Sequence, residues 1–302
     1  MEINVIPEKL RRLEIPGRVE IVNSHGGLPL LKITTPWSAA KIYLLGAHVA
    51  GFQKNGEPPL IFMSAKSYFA AGKPIRGGVP ICFPWFGNRD GEPSHGFVRL
   101  AEWLLVKTTA APDGKVTVTL ALPAIPGREA WTSLRTEFVV TVGETLTMEL
   151  IATNESCGET LELENCLHTY FQVGDISAVS LTGLQGAAFD DFAFGAGGAR
   201  CAASGDALRI TQETNRVYPD NAATVEIIDE KLQRKIRVEK SNSSSTVVWN
   251  PWTTQKMPED FDQAEHRQMV CVESGNVKQN KLSLAPGAAS ALKVVLSSAP
   301  LK

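Results

Sequence analysis

The 302-residue sequence predicts an all-β protein, a large antiparallel β-sandwich. Three observations carry that prediction. Apolar residues recur with period two along most of the chain. The short β-rich runs are punctuated by Gly, Pro, Asn and Asp. No segment holds helical apolar spacing for more than about two turns.

Taken in order, a short N-terminal extension (about residues 1–18) carries one helical turn at Pro7–Arg12, followed by strand-like runs at Val19–Val22, Leu30–Thr34 and Lys41–Leu45. Trp103–Thr108 and Val116–Leu122 come next, joined through Pro112-Asp113-Gly114. Thr136–Val142 and Thr145–Ala152 flank Gly143-Glu144 and make an antiparallel hairpin. Later runs are Glu159–Asn165, Ala207–Thr211, Thr224–Asp229, Lys235–Glu239, Thr246–Trp249, Gln268–Val272 and Ala291–Leu296. Phe194–Ala203, rich in Gly and Ala, reads as a loose loop, and Pro258–Gln263 as a second short turn. The polar Ser241–Ser245 has the length of a hairpin connection. No linker divides the chain, so residues 1–302 are expected to form a single domain.

Composition narrows the function. Apolar residues are 43% and charged residues 21%, enough to build a large core. The 30 basic and 32 acidic side chains leave a net charge of −2 and no basic face for phosphates, so no nucleic-acid partner is expected. No apolar run has the length of a membrane-spanning helix, and the start lacks a signal-peptide core, which points to the cytoplasm and to no membrane partner. Cys82, Cys157, Cys166, Cys201 and Cys271 are odd in number and lack CxxC spacing. They read as reduced, mostly buried thiols. The chain is expected to act as a monomer.

Three fragments break ordinary strand grammar. Pro74–Arg99 (PIRGGVPICFPWFGNRDGEPSHGFVR) is too rich in Gly and Pro for a ladder and too aromatic for disorder. Arg76 and Arg99 bracket it, with His95 between Ser94 and Gly96. In Glu164–Asp175 (ENCLHTYFQVGD), strand alternation puts Cys166, His168, Tyr170 and Gln172 on one face and Leu167, Thr169, Phe171 and Val173 on the other. In Met269–Asn276 (MVCVESGN), Val270 and Val272 face one way, Cys271 and Glu273 the other, and Ser274-Gly275-Asn276 is expected to end the strand. Each has an ordinary structural explanation: a packed Ω-loop, a satisfied histidine, a solvated glutamate. Dinucleotide, phosphate-loop, zinc-protease and serine-hydrolase motifs are missing. The five histidines show no metal-ligand spacing, so neither a metal nor another cofactor is expected.

Together, Arg76-Gly-Gly-Val-Pro, Ser94-His-Gly-Phe-Val-Arg99, Leu167-His-Thr-Tyr-Phe171 and Val270-Cys-Val-Glu273 resemble, in order and spacing, the hexose-6-phosphate mutarotases. These belong to the aldose 1-epimerase, or galactose mutarotase-like, superfamily, and the resemblance runs from about residue 20 to residue 296. It implies a single-domain β-sandwich that interconverts the α and β anomers of a hexose 6-phosphate, typically glucose 6-phosphate. Glu273 matches the family's base, His168 its acid and His95 a second active-site histidine. Arg76 and Arg99 match motif positions suited to a phosphate, with Arg89 a weaker candidate. In the segment Glu213–Tyr218 the family often carries an aspartate where this chain has Asn215, a substrate-binding candidate without charge.

The chemistry accounts for the residue types. Ring opening takes a proton from the anomeric hydroxyl and gives one to the ring oxygen, and closure on the other carbonyl face reverses both transfers. An unperturbed glutamate is ionised at neutral pH, and a histidine needs only a small upward shift to supply a proton there, so ordinary pKa values are expected to suffice. Two other readings use the same residues. One is a mutarotase for free aldoses, without a phosphate clamp. The other is a non-catalytic carbohydrate-binding sandwich with Trp85, Trp249 and Trp252 as stacking platforms.

Overall fold

A computed structural model of the chain describes residues 6–301. Its strands form two large sheets, a four-stranded third and a two-stranded pair of Leu161–Leu163 with Leu282–Leu284, antiparallel throughout. The nine-stranded sheet grows outward from the hairpin of Leu134–Val142 with Leu146–Asn154, where Val142 lies opposite Leu146. Along both strands buried residues alternate with partly exposed ones, the period-two pattern expected of a sheet with one face on the core. Ala289–Pro300 extends this sheet on one side and Val116–Ala121 on the other. A four-stranded sheet, Val19–Asn23 to His48–Lys54, adds Ile21, Leu31, Ile33, Ile42 and Phe52 to the same core.

The eight-stranded sheet differs because both its faces are covered. Its central strands, Ser245–Asn250 and Met269–Asn276, are buried at every residue. Val248, Val270, Val272, Leu167 and Phe171 point into the main core against the nine-stranded sheet. The alternate residues form two smaller clusters on the opposite face, with Tyr170, Trp249 and Cys271 in one and Cys82, Cys166, Val217 and Val247 in the other. That second face carries the site described below. Helix is scarce: the turn at Glu8–Arg11 lies within the expected Pro7–Arg12, and Leu10 is buried.

Several expectations change. Ser241–Ser245 is no hairpin, because Arg234–Ser241 pairs in the nine-stranded sheet and Ser245–Asn250 in the eight-stranded one. The chain crosses between sheets there, which loop length cannot distinguish from a hairpin. The run Glu159–Asn165 is split between Leu161–Leu163 and Asn165–Leu167. At the break, Glu164 turns its carboxylate to accept from the backbone N–H groups of Phe86 (2.9 Å) and Lys278 (2.5 Å). Ser274-Gly275-Asn276 does not end its strand but pairs with Leu167, Cys166 and Asn165. A Cβ on Gly275 would lie 2.3 Å from the Asn165 carbonyl oxygen, so glycine is there for close approach, not for a turn. Within Phe194–Ala203, Ala199–Cys201 is a strand paired with Phe189–Asp191. The expected turn at Pro258–Gln263 is present, with the Phe261 N–H donating to the Pro258 carbonyl at 3.1 Å, but an unforeseen 3₁₀ segment over Gln263–Gln268, started by an Asp262–Glu265 capping box, follows it.

Candidate active site

A cavity of about 500 Å³ opens on the second face of the eight-stranded sheet. Its floor follows from register. Val217 lies opposite Val247, and Val247 opposite Glu273. Asn165–Leu167 and Tyr170–Gln172 both pair with Met269–Asn276 in one continuous register, which puts position 168 across from position 273. Facing residues of an antiparallel pair share a face, so the two side chains meet: His168 Nε2 is 3.3 Å from Glu273 Oε1. The neighbouring row runs Asn215, Trp249, Cys271, Tyr170. The expected alternation in both fragments therefore holds.

His168 is clamped by aromatic contacts. Its ring stacks on Tyr170 at 4.8 Å and meets Trp249 edge-on at 6.1 Å. Glu273 is 1% exposed; its Oε2 accepts from the Cys166 thiol at 3.6 Å. Burial pushes Glu273 well above the usual carboxylate range. Burial likewise pushes His168 well below the usual histidine range, with His95, Arg99 and Arg76 acting in the same direction. Ordinary pKa values are therefore not what the site has. Because each charged form is desolvated, burial favours a proton on the carboxyl over one on the imidazole.

The Pro74–Arg99 segment forms the wall. Ile81–Cys82 joins the sheet edge beside Asn165–Leu167. His95 adopts a left-handed backbone (φ 62°), and its Nδ1 accepts the Gly87 N–H at 3.2 Å. The ring proton is thus on Nε2. Burial, with Arg99, Arg76 and Lys278 nearby, lowers His95 to about 3, so it is a neutral donor. Its ring lies 5.7 Å from that of His168.

Arg76 and Arg99 both reach this cavity. Arg76 Nε donates to Asp260 at 3.2 Å, and Asp260 is 3% exposed. Arg99 donates through Nη2 to the Ser94 carbonyl at 2.6 Å, and its buried Nε has no partner among the described residues. Neither braces the loop through Asp90 or Glu92; Glu92 pairs with Arg128 instead. Arg89 lies over the Trp85 ring at 5.0 Å, outside this cavity. Asn215 lines the cavity.

The tryptophan platforms do not assemble. Trp249 lines the cavity, but Trp85 is buried with its indole N–H on the Pro93 carbonyl, and Trp252 packs against His266. The sequence reading missed Asp260, Gln255, Lys256 and Lys278. Only Lys278 had a signal, five residues beyond Glu273 on the same outgoing chain. Among the described residues, His168, Cys271 and Glu273 bring potential ligand atoms within 4.8 Å of one another, a grouping that spacing in sequence hides. Burial keeps Cys271 a thiol, so the trio as it stands offers proton donors and acceptors, not a thiolate.

Known proteins resemble the chain along nearly its whole length. It is 33% identical over 293 residues to a "Putative glucose-6-phosphate 1-epimerase" of Cenchrus ciliaris, covering 93% of this chain and 88% of that one. A protein of the same name from Escherichia coli is 32% identical over 266 residues, covering 84% and 85%. The crystal structure of a "putative mutarotase" from Salmonella typhimurium superposes with a TM-score of 0.86 at 27% identity, covering 97% and 98%. A galactose mutarotase-like protein from Clostridium acetobutylicum shares the fold, with a TM-score of 0.70 at 15% identity over 94% and 98% of the two chains. The aldose 1-epimerase family model matches residues 29–297, and the chain belongs to that family.

Proposed function

We propose that this protein interconverts the α and β anomers of a hexose 6-phosphate, with glucose 6-phosphate as the first candidate. The relatives named above support the substrate class. The observation that carries the reading is the carboxyl–imidazole contact of 3.3 Å in a cavity that two arginines also line. The anomeric hydroxyl and the ring oxygen are bonded to the same carbon, so their base and acid must be neighbours. Glu273 takes the hydroxyl proton as His168 protonates the ring oxygen, and closure returns both protons. His95 donates from Nε2 to a sugar oxygen, and the Asn215 amide serves a second one. Arg76 and Arg99 hold the phosphate. A guanidinium offers paired donors of matching geometry, and each charge-assisted bond contributes about 1.5–3 kcal/mol. Arg99, with no carboxylate within salt-bridge distance among the described residues, has little to gain from a neutral sugar.

The test is exchange spectroscopy between the anomers of glucose 6-phosphate with and without the protein. Glu273→Gln and His168→Ala should each lower the protein-dependent exchange by about 10²–10⁴-fold. Folded variants that exchange at the wild-type rate would remove this mechanism.

A further inference from the structure

The reaction just proposed requires a proton on His168 and a charge on Glu273, and the protein's own groups favour the reverse. The surroundings of His168 show why. Facing it are Glu273 from Met269–Asn276, Tyr170 from the strand that follows it, Trp249 from Ser245–Asn250 and His95 from the wall segment, and Arg99 and Arg76 of that segment line the same cavity. Cys271 lies beneath as a neutral thiol. Asp260 offsets Arg76, and no carboxylate lies within 4 Å of Arg99 among the described residues. An imidazolium at His168 would therefore be a further cation in a positive field, inside a buried site where charges interact strongly. A dianion seated on the two guanidinium groups cancels that field.

We propose that the anion site formed by Arg76 and Arg99 is an activator as well as a handle, so that a separate phosphate dianion bound there switches on anomer exchange of an unphosphorylated hexose. This rests on the function proposed above and adds an activity to it. With the anion in place, the shared proton moves from the Glu273 carboxyl to His168 Nε2. The carboxylate then takes the proton of the anomeric hydroxyl, the C1–O1 bond becomes a carbonyl, the C1–O5 bond breaks, and His168 gives its proton to O5. Closure on the opposite face restores both groups. The phosphate is neither consumed nor bonded to the sugar.

The experiment measures anomer exchange of free glucose at constant pH and ionic strength while inorganic phosphate replaces chloride. Exchange in the same buffer without protein is subtracted, because phosphate itself catalyses the reaction, and glucose 6-phosphate is run in parallel. Phosphate should raise the protein-dependent exchange of glucose about tenfold or more, saturably, since each unit of pKa recovered at His168 raises the reactive form tenfold. Arg99→Gln should abolish this response and raise the phosphate-free glucose rate above wild type, which the loss of a mere binding contact would not do. Arg76→Ala supplies a second variant should the first fail to fold. If wild type turns over glucose 6-phosphate but phosphate leaves glucose exchange unchanged or lowers it, the anion is only a handle and the inference is wrong. If glucose 6-phosphate itself is not turned over, the proposed function falls and this inference with it.

Discussion

Glu273 sits among sulfur atoms. Cys166 donates to its Oε2 at 3.6 Å, Cys271 lies two residues before it on the same strand face, and Cys82 is directly across from Cys166. A thiol is a weak donor, and these groups give the carboxylate little in place of water. That leaves Glu273 a stronger base than a solvated glutamate, at the cost of being harder to ionise. Replacing the thiol tests the balance. Cys166→Ser offers a stronger donor and should move the acid limb of the kcat profile, which belongs to the Glu273–His168 pair, to lower pH. Cys166→Ala removes the donor and should move it to higher pH. Rates at the optimum should change by less than about tenfold, because neither variant removes a proton-transfer group. Three superimposable profiles would mean that Cys166 only fills space.

At the scale of elements, a strand brings Glu273, the short break between Asn165–Leu167 and Tyr170–Gln172 brings His168, and a loop brings Arg76, Arg99 and His95. The loop is held by close backbone approaches that admit only glycine. Gly96, at φ 75°, bridges Phe83, and a Cβ there would lie 1.8 Å from the Phe83 carbonyl oxygen. Gly96→Ala combines a left-handed alanine with that clash, and should cost at least ~2 kcal/mol in urea unfolding. It should also lower kcat, since His95 is the adjacent residue. An unchanged urea midpoint would show that the loop relaxes freely. How far these elements were legible depends on locality. The alternation that puts Cys271 with Glu273 and His168 with Tyr170 is a property of each strand alone. That Ser241–Ser245 changes sheet, or that Ser274–Asn276 continues pairing, depends on which strand lies alongside, and no local pattern encodes that.

For the whole molecule, burial of neutral histidines links stability to pH. His48 and His95 are lowered to about 3, burial being the largest cause and Arg99 the next for both. An unfolded chain protonates both near pH 6.5, whereas the folded one refuses those protons until about pH 3. The unfolded state therefore binds more protons in this window, and stability must fall as the pH falls from about 6.5 toward 3. The slope approaches about 1.4 kcal/mol per pH unit for each histidine. Between pH 6.5 and 4.5 His168 and Glu273 oppose each other, one refusing a proton in the folded state and the other retaining it, whereas below 4.5 the unfolded glutamate is protonated too and only His168 adds to the slope. Urea midpoints should drop steadily below pH 6.5, and His48→Gln should flatten the slope even if it lowers the midpoint at pH 7.5. A flat wild-type profile down to pH 4.5 would contradict this account.

The sequence by itself determined the β architecture, the inward and outward faces of the strands, and the order of the fragments that lead to the family. These follow from short-range geometry and from motifs that lie within a few residues. Tertiary structure alone decided the rest. Residues 168 and 273 face each other only because two distant strands share a register. Asp260 meets Arg76 across more than 180 positions of chain. The expectation of ordinary pKa values failed for the same reason. A side chain's proton affinity is set by the water it loses and the charges it meets on folding, and both come from remote parts of the chain.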